Sequence, residues 1–577
     1  MATASGGLNR GAFTFDNAML AACALLPAAL GAAGAASAAP ASHDEAVVRV
    51  VGLGWTGLFR GLDVIVAAPL MLAPIGTRAM RAGLASAVVA GACGALAFWI
   101  ARQLVEVVRP GAAKAAPRLM AAVAAVAALS GVMAPVWQVE AAAPGGAVVG
   151  ALIVLAAIAL GAEAQAEADA QADANADADA KANAGAIAFV LGLAASYEPI
   201  VRVAALVAVA PWMWGKARAI TGAGWIHAAI AFAMGLAPLA LSAALGRRAP
   251  EIAIAGARPF ASSIGTHAHG HVPIAAFAQS EIGMLLLVAA AAGAVLAWLV
   301  PDARRCLASL VGVILVGVVA ISNARVPFAQ ASAALVVVLE LVLPVRAADE
   351  TLTRREARAS QASTVWNEVA WGAAPPAAVL LVSEPSTMRR IAAARATGQM
   401  RPDLLVIPTF AMPSRATDRA LASEPKLAPL YRDVALGSTP EELSLATLAT
   451  QRPLLASFDP HWDRGLARHF VPVGLTTAFE PEPRGSSDRR RGLDAFTASK
   501  ERLVRVAVAK KDPDLAAATA TLLRGRAIGM AACGERDVLS RALDDLRPFA
   551  PEDPVANTLV RRIVTSKGPI DVRDLVP

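Results

Sequence analysis

Residues 1–345 run as a series of apolar stretches separated by basic clusters, and residues 346–577 do not. The stretch 282–300 (IGMLLLVAAAAGAVLAWLV) carries no charge at all. The stretches 84–100, 123–136, 148–160, 226–245, 307–321 and 333–345 are the cores of others, and 18–39 opens the series. About twenty such residues, rising 1.5 Å each, cross roughly 30 Å of hydrocarbon. One run of this kind suits a buried helix of a soluble protein, but a whole series suits a bilayer. The opening stretch reads as an uncleaved first helix. Ala36-Ser37-Ala38 also has the small-residue form of a signal cleavage site. Either way His43-Asp44-Glu45 falls outside the cytoplasm.

Between the first two spans, 47–59 and 62–75 are only partly apolar and read as short helices in the membrane interface. The stretch 185–214 reads as two short helices meeting at a polar apex, Tyr197-Glu198-Pro199. Residues 163–183 (EAQAEADAQADANADADAKAN) alternate alanine with polar groups and have no face worth burying, so they read as a disordered or loosely helical inserted linker. Past Arg346 the pattern changes. Short apolar runs at 379–382 and 404–407 flank a helical 386–400, a β-α-β pattern. Runs at 454–458 and 470–477 add strands, and from 493 the periodicity is helical, with a break at 551–554.

The 577 residues are 56% hydrophobic and carry a net charge of +7. In a soluble chain that charge would suggest nucleic acid. Here the basic residues sit beside apolar spans, which the positive-inside rule explains. Arg102 to Arg118, and then Lys216 with Arg218, mark the cytoplasmic side. The four cysteines show neither zinc-ligand nor disulfide-framework spacing. No phosphate-binding loop, dinucleotide fingerprint, HExxH or GxSxG context appears.

A few residues stand out as candidate chemistry. Asp44 and Glu45 follow the first span at the outer surface. A carboxylate there can serve as general base on a hydroxyl, or hold a divalent cation on a phosphate-linked donor. The plainer reading is an exposed acidic loop. His267, His269 and His271 alternate, so a strand would put all three on one face as metal ligands, whereas a polar loop would not. Glu198 and Arg202 lie in an apolar stretch at a spacing that permits an ion pair on one helix face.

The order of segments, together with Ala73-Pro74-Ile75-Gly76-Thr77-Arg78-Ala79-Met80-Arg81-Ala82-Gly83-Leu84-Ala85-Ser86-Ala87 and Gly192-Leu193-Ala194-Ala195-Ser196-Tyr197-Glu198-Pro199, resembles a bacterial family of GT-C type membrane glycosyltransferases. That family is related to the protein O-mannosyltransferases and was long known as a domain of unknown function. In the tail, Arg401-Pro402-Asp403-Leu404, Arg452-Pro453-Leu454-Leu455 and Phe470-Val471-Pro472-Val473-Gly474-Leu475 are similar to its later segments. The family's His-Pro-Pro-Gly element is absent: Gly54-Trp55-Thr56-Gly57 stands in that stretch, and Ser383-Glu384-Pro385-Ser386 replaces its acidic Asn-rich segment.

The resemblance implies an α-helical polytopic bundle of about ten transmembrane helices over 1–345, in a bacterial inner membrane. A soluble α/β domain over 346–490 and a helical, tetratricopeptide-like tail over 491–577 would follow. It implies transfer of a sugar from a polyprenyl-phosphate donor to an extracytoplasmic protein or glycan acceptor. Asp44 would be the base or cation ligand, Glu45 its support, and Arg78 or Arg81 the holder of the donor phosphate. Tyr197, Glu198 and Arg202 would line the cavity. A divalent cation is the one cofactor in this picture, and nucleic acid is no partner. A catalytically degenerate scaffold of envelope assembly and a transporter of lipid-linked substrates are the alternatives. The side of the tail stays open: ten helices starting inside leave it in the cytoplasm, and the resemblance puts it outside.

Overall fold

The computed structural model describes residues 10–35, 44–53, 59–108, 116–170, 176–216, 222–246, 361–409, 425–436, 439–509, 513–565 and 569–575. These form two compact units. One holds the first helix and the helices between 61 and 246, while the other joins the 44–53 segment to residues 361–575. The spans expected at 282–300, 307–321 and 333–345, and the three histidines, lie outside the described residues.

The first unit is all helix. It contains α1 (Arg10–Gly34), α3 (Gly61–Met71), α4 (Arg78–Val108), α5 (Pro117–Val132), α6 (Pro135–Ala142), α7 (Val148–Ala170), α8 (Ala176–Ala195), α9 (Pro199–Lys216), α10 (Gly222–Gly235) and α11 (Ala237–Gly246). Three stretches among the described residues are long and apolar enough to cross a membrane: Phe15–Gly34, Arg78–Leu104 and Gly224–Ala244. Their outward faces are unusual for a water-soluble fold. Leu25 and Leu26 on α1, and Trp225, Ile226, Ile230 and Met234 on α10, are large, apolar and exposed. A contiguous apolar surface of this kind needs a non-aqueous neighbour. Inside, helices meet through small residues. Gly91 and Gly94 of α4 lie against Ala24, Ala28 and Cys23 of α1, and a Cβ at either position would collide with backbone. Such close approach is how helices associate where lipid removes the hydrophobic drive.

Several boundaries differ from the expected ones. The 123–136 run is not one span: it ends at Val132, and Pro135 opens the short α6, because Pro cannot continue the preceding helix. The 226–245 run is interrupted at Leu236, between α10 and α11. Around the low-complexity insertion, α7 continues to Ala170 and α8 already begins at Ala176, so much of it is helical. The expected apex between α8 and α9 forms, with a turn at Tyr197.

The second unit is a sheet between helices. It begins with α2 (Asp44–Val50) and resumes with α12 (Gln361–Gly372), β1 (Val379–Val382), α13 (Pro385–Ala396) and β2 (Leu405–Pro408). Then follow α14 (Ala428–Ala435), α15 (Glu442–Gln451), β3 (Leu454–Ala456), β4 (Phe470–Val473) and β5 (Thr476–Phe479). α16 (Ser486–Leu503), α17 (Pro513–Cys533), α18 (Arg536–Leu546) and α19 (Pro554–Thr565) complete it. The strand order is β2-β1-β3-β5-β4; β1 runs parallel to β2 and β3, and the β4–β5 hairpin is antiparallel. Alternate β1 residues feed two cores. Val379 and Leu381 face one that contains Leu445 and Ile528, while Leu380 and Val382 face another that contains Trp366 and Ile391. Burial on both faces is why parallel strands read as continuous apolar runs. The single strand expected at 470–477 is a hairpin, because Gly474 turns the chain with φ +57. The helical tail starts at Ser486, ahead of the expected 493.

Candidate functional site

Asp44 and Glu45 form the first turn of α2, where the positive end of the helix dipole favours acids. They meet arginines from α13. Arg390 Nη1 donates to Asp44 Oδ1 at 2.8 Å. Arg389 lies 3.8 Å from Glu45 Oε2, and Arg49, one turn along α2, lies 3.4 Å from Glu45 Oε1. Arg390 is only 4% exposed, and its guanidinium stands 5.1 Å from the Trp366 ring centroid. The pair therefore sits in an apolar setting, and burial pushes the Asp44 carboxyl up to about 6 despite the opposing field of Arg390.

A small cavity of about 10 Å³, room for about one water molecule, opens beside this pair. Asp44, Ser363, Asn367, Arg390, Thr397 and Gln399 supply its polar lining. Among the described residues, the Nε and Nη2 of Arg390 and the Oδ1 of Asn367 accept or donate no hydrogen bond. Nε and Nη2 form one edge of the guanidinium, the fork that carboxylates and phosphates take bidentately.

A second polar cluster lies in the first unit. Arg60, at φ +69, caps the start of α3. Every nitrogen of its guanidinium is engaged. Nε donates to Asp63 Oδ2 at 2.9 Å and to Tyr197 Oη at 3.1 Å, Nη1 to Glu198 Oε1 at 2.9 Å, and Nη2 to Gly145 O at 2.6 Å. The Tyr197 hydroxyl donates in turn to Asp63 Oδ1 at 2.7 Å. The ion pair expected between Glu198 and Arg202 does not form. Glu198 pairs with Arg60, while Arg202 donates to the Tyr197 carbonyl at 3.0 Å and stacks 4.1 Å over the Phe59 ring. A turn at Tyr197 separates the two side chains and gives Arg60 the carboxylate. Tyr197 and Glu198 both meet Arg60, and Tyr197 also meets Asp63.

Arg81 closes the turn between α3 and α4 by donating to Met71 O at 2.8 Å and Ala73 O at 2.6 Å. Arg78 is exposed at the start of α4. The arginines actually beside Asp44 and Glu45 are Arg49, Arg389 and Arg390. Arg49 was within reach of sequence reasoning, being four residues from Glu45 on a short helix. Nothing local marks Arg390, which is 346 residues away.

A divalent cation does not fit the acidic pair, because three guanidiniums already surround its two carboxylates. Among the described residues, no group of three or more His, Cys, Asp or Glu side chains is arranged to hold a metal ion. Comparison with protein-family models, curated proteins and solved structures gives no match.

Proposed function

We propose that the chain is a multi-pass, GT-C-like inner-membrane protein that transfers a sugar from a polyprenyl-phosphate donor to an extracytoplasmic protein or glycan acceptor, with Asp44 as general base. The observation that carries this reading is the setting of Asp44: a half-buried carboxylate, oriented by Arg390, lining a polar cavity, with its pKa pushed up to about 6. A base works best with a pKa near the working pH and within about 3 Å of the proton it takes. Perturbed carboxylates with a defined charge partner in a cleft cluster at functional sites.

In the step, the acceptor hydroxyl gives its proton to Asp44 and its oxygen bonds to the anomeric carbon. The bond from that carbon to the phosphate oxygen breaks, and polyprenyl phosphate leaves with the electron pair. The buried, unpaired Nε–Nη2 edge of Arg390 is a donor pair of the kind that binds phosphate. It takes the role that the resemblance gives to Arg78 or Arg81. Glu45 supports the site by holding Arg389 and Arg49.

A second reading, a catalytically degenerate scaffold of envelope assembly, is favoured by a different observation. Asp44 Oδ1 is already taken, and the cavity has room for about one water. The experiment that separates them uses membranes containing the full chain and radiolabelled polyprenyl-phosphate mannose or glucose, and reads release of polyprenyl phosphate. Under the transferase reading Asp44→Asn lowers release by about 10²–10⁴-fold, and the protein still folds. A wild-type chain that releases nothing above background from either donor leaves the scaffold.

A further inference from the structure

We propose that α2 is a structural part of the C-terminal domain, and that this contact fixes the domain on the side of the membrane where α1 emerges. The inference rests on α1 crossing the membrane and is independent of any catalytic role for Asp44.

Three observations carry it. First, α2 is too short to hold itself together. Isolated helices below about 12–15 residues are marginal in water, and α2 has 7. Its apolar side chains Val47, Val48 and Val50 are nonetheless at most 2% exposed, as is Val51 just beyond it. Val47 lines the same cavity as Ala393 and Ala394 of α13, and Gly52 comes up against Ala396. Second, the charges are matched across this contact: Asp44 with Arg390 and Glu45 with Arg389. Without α2, the buried Arg390 would lose its carboxylate. Third, α2 clusters with residues 361–575 in one compact unit.

Connectivity then sets the side. Residues 35–43 (AASAAPASH) alone join α1 to α2. Fully extended they reach about 30 Å at 3.3–3.6 Å per residue. An extended backbone exposed to lipid cannot recross the hydrocarbon, since its amide groups would go unpaired. So α2 stays where α1 emerges, and the domain it completes stays with it. The arginines at 346, 354, 355 and 358 predict the opposite side, so the two signals make opposing predictions.

The test uses the full chain with its four cysteines replaced by serine. Single cysteines are placed at Leu53 and at Leu443, which are 44% and 74% exposed. Spheroplasts are treated with a membrane-impermeant maleimide, before and after permeabilisation. Both positions are expected to label from the same side, with neither gaining on permeabilisation. Labelling of Leu53→Cys before and Leu443→Cys only after permeabilisation would overturn the proposal. If the serine background does not fold, green fluorescent protein fused to either end of the otherwise native chain answers the same question. Because α1 alone separates the N-terminus from α2, one of the two fusions should fluoresce and the other stay dark, and two fluorescent or two dark fusions would refute it.

Discussion

At the scale of single residues, the account turns on one carboxylate and one guanidinium. Asp44 was legible as a candidate from its place after an apolar span. Its partner was not, because Arg390 is distant in sequence and sits in an unremarkable helical segment. The pair makes two predictions. Asp44 has a folded pKa of about 6, above its usual 3.8, because burial disfavours the charge. A raised value means the contribution of Asp44 to stability is fully present below about pH 3.8 and is lost as pH rises through about 6. At 1.36 kcal/mol per unit, the swing is at most about 3 kcal/mol. Melting curves of wild type and Asp44→Asn should therefore diverge between about pH 4 and 7, with the wild type losing ground as pH rises. Arg390→Ala acts in the same direction and more strongly. It leaves a half-buried acid without its cation, which costs at most about 3–5 kcal/mol, so its melting temperature should fall at neutral pH and recover partly on acidification. A mutant whose stability is indifferent to pH would show that the pair is solvated.

At the scale of elements, legibility followed how local the cause was. β1 coincides with the expected run because four consecutive apolar residues buried on both faces leave no ambiguity. The β4–β5 hairpin was missed because its turn, Gly474-Leu475, lies inside an apolar run. The break at Leu236 has local causes, Gly235 before it and Pro238 after it, but they lie inside an apolar run that reads as one span; there, α8 and α10 cross at Gly192 and Gly235, whose backbones touch. That crossing is testable. A Cβ at Gly192 would meet the backbone carbonyl of Phe232, which no rotamer change relieves. Gly192→Leu should abolish monodisperse protein in detergent, whereas Gly185→Ala, with nothing within 4 Å of its Cβ, should behave as wild type. In the second unit, Arg526 and Asp545 pair at 2.6 Å with both side chains buried, and Arg526 also donates to Gly474 O at 2.8 Å. Asp545→Ala should lower stability by about 3–5 kcal/mol, read by chemical denaturation of the full chain. Periodicity could place both residues on buried helices but could not pair them.

At the scale of the whole molecule, the membrane character was the most legible property, since hydropathy sums over many residues and tolerates local error. Three described stretches are long and apolar enough to cross, and their outward faces are apolar. Carbonate should therefore fail to extract the chain from membranes. The assignment of α2 to the C-terminal unit was not legible, because a short helix beside a membrane span reads as interfacial until its partner is seen. That assignment brings the acidic pair and the arginines of α13 together, and so brings the proposed base beside the arginine proposed to hold the phosphate. The pH dependence of polyprenyl phosphate release tests this most directly. The account predicts a rate that rises with pH through an apparent pKa of about 6, a limb that Asp44→Asn removes together with about 10²–10⁴-fold of the activity. Release that is flat from about pH 5 to 8, or an Asp44→Asn chain as active as wild type, would contradict it.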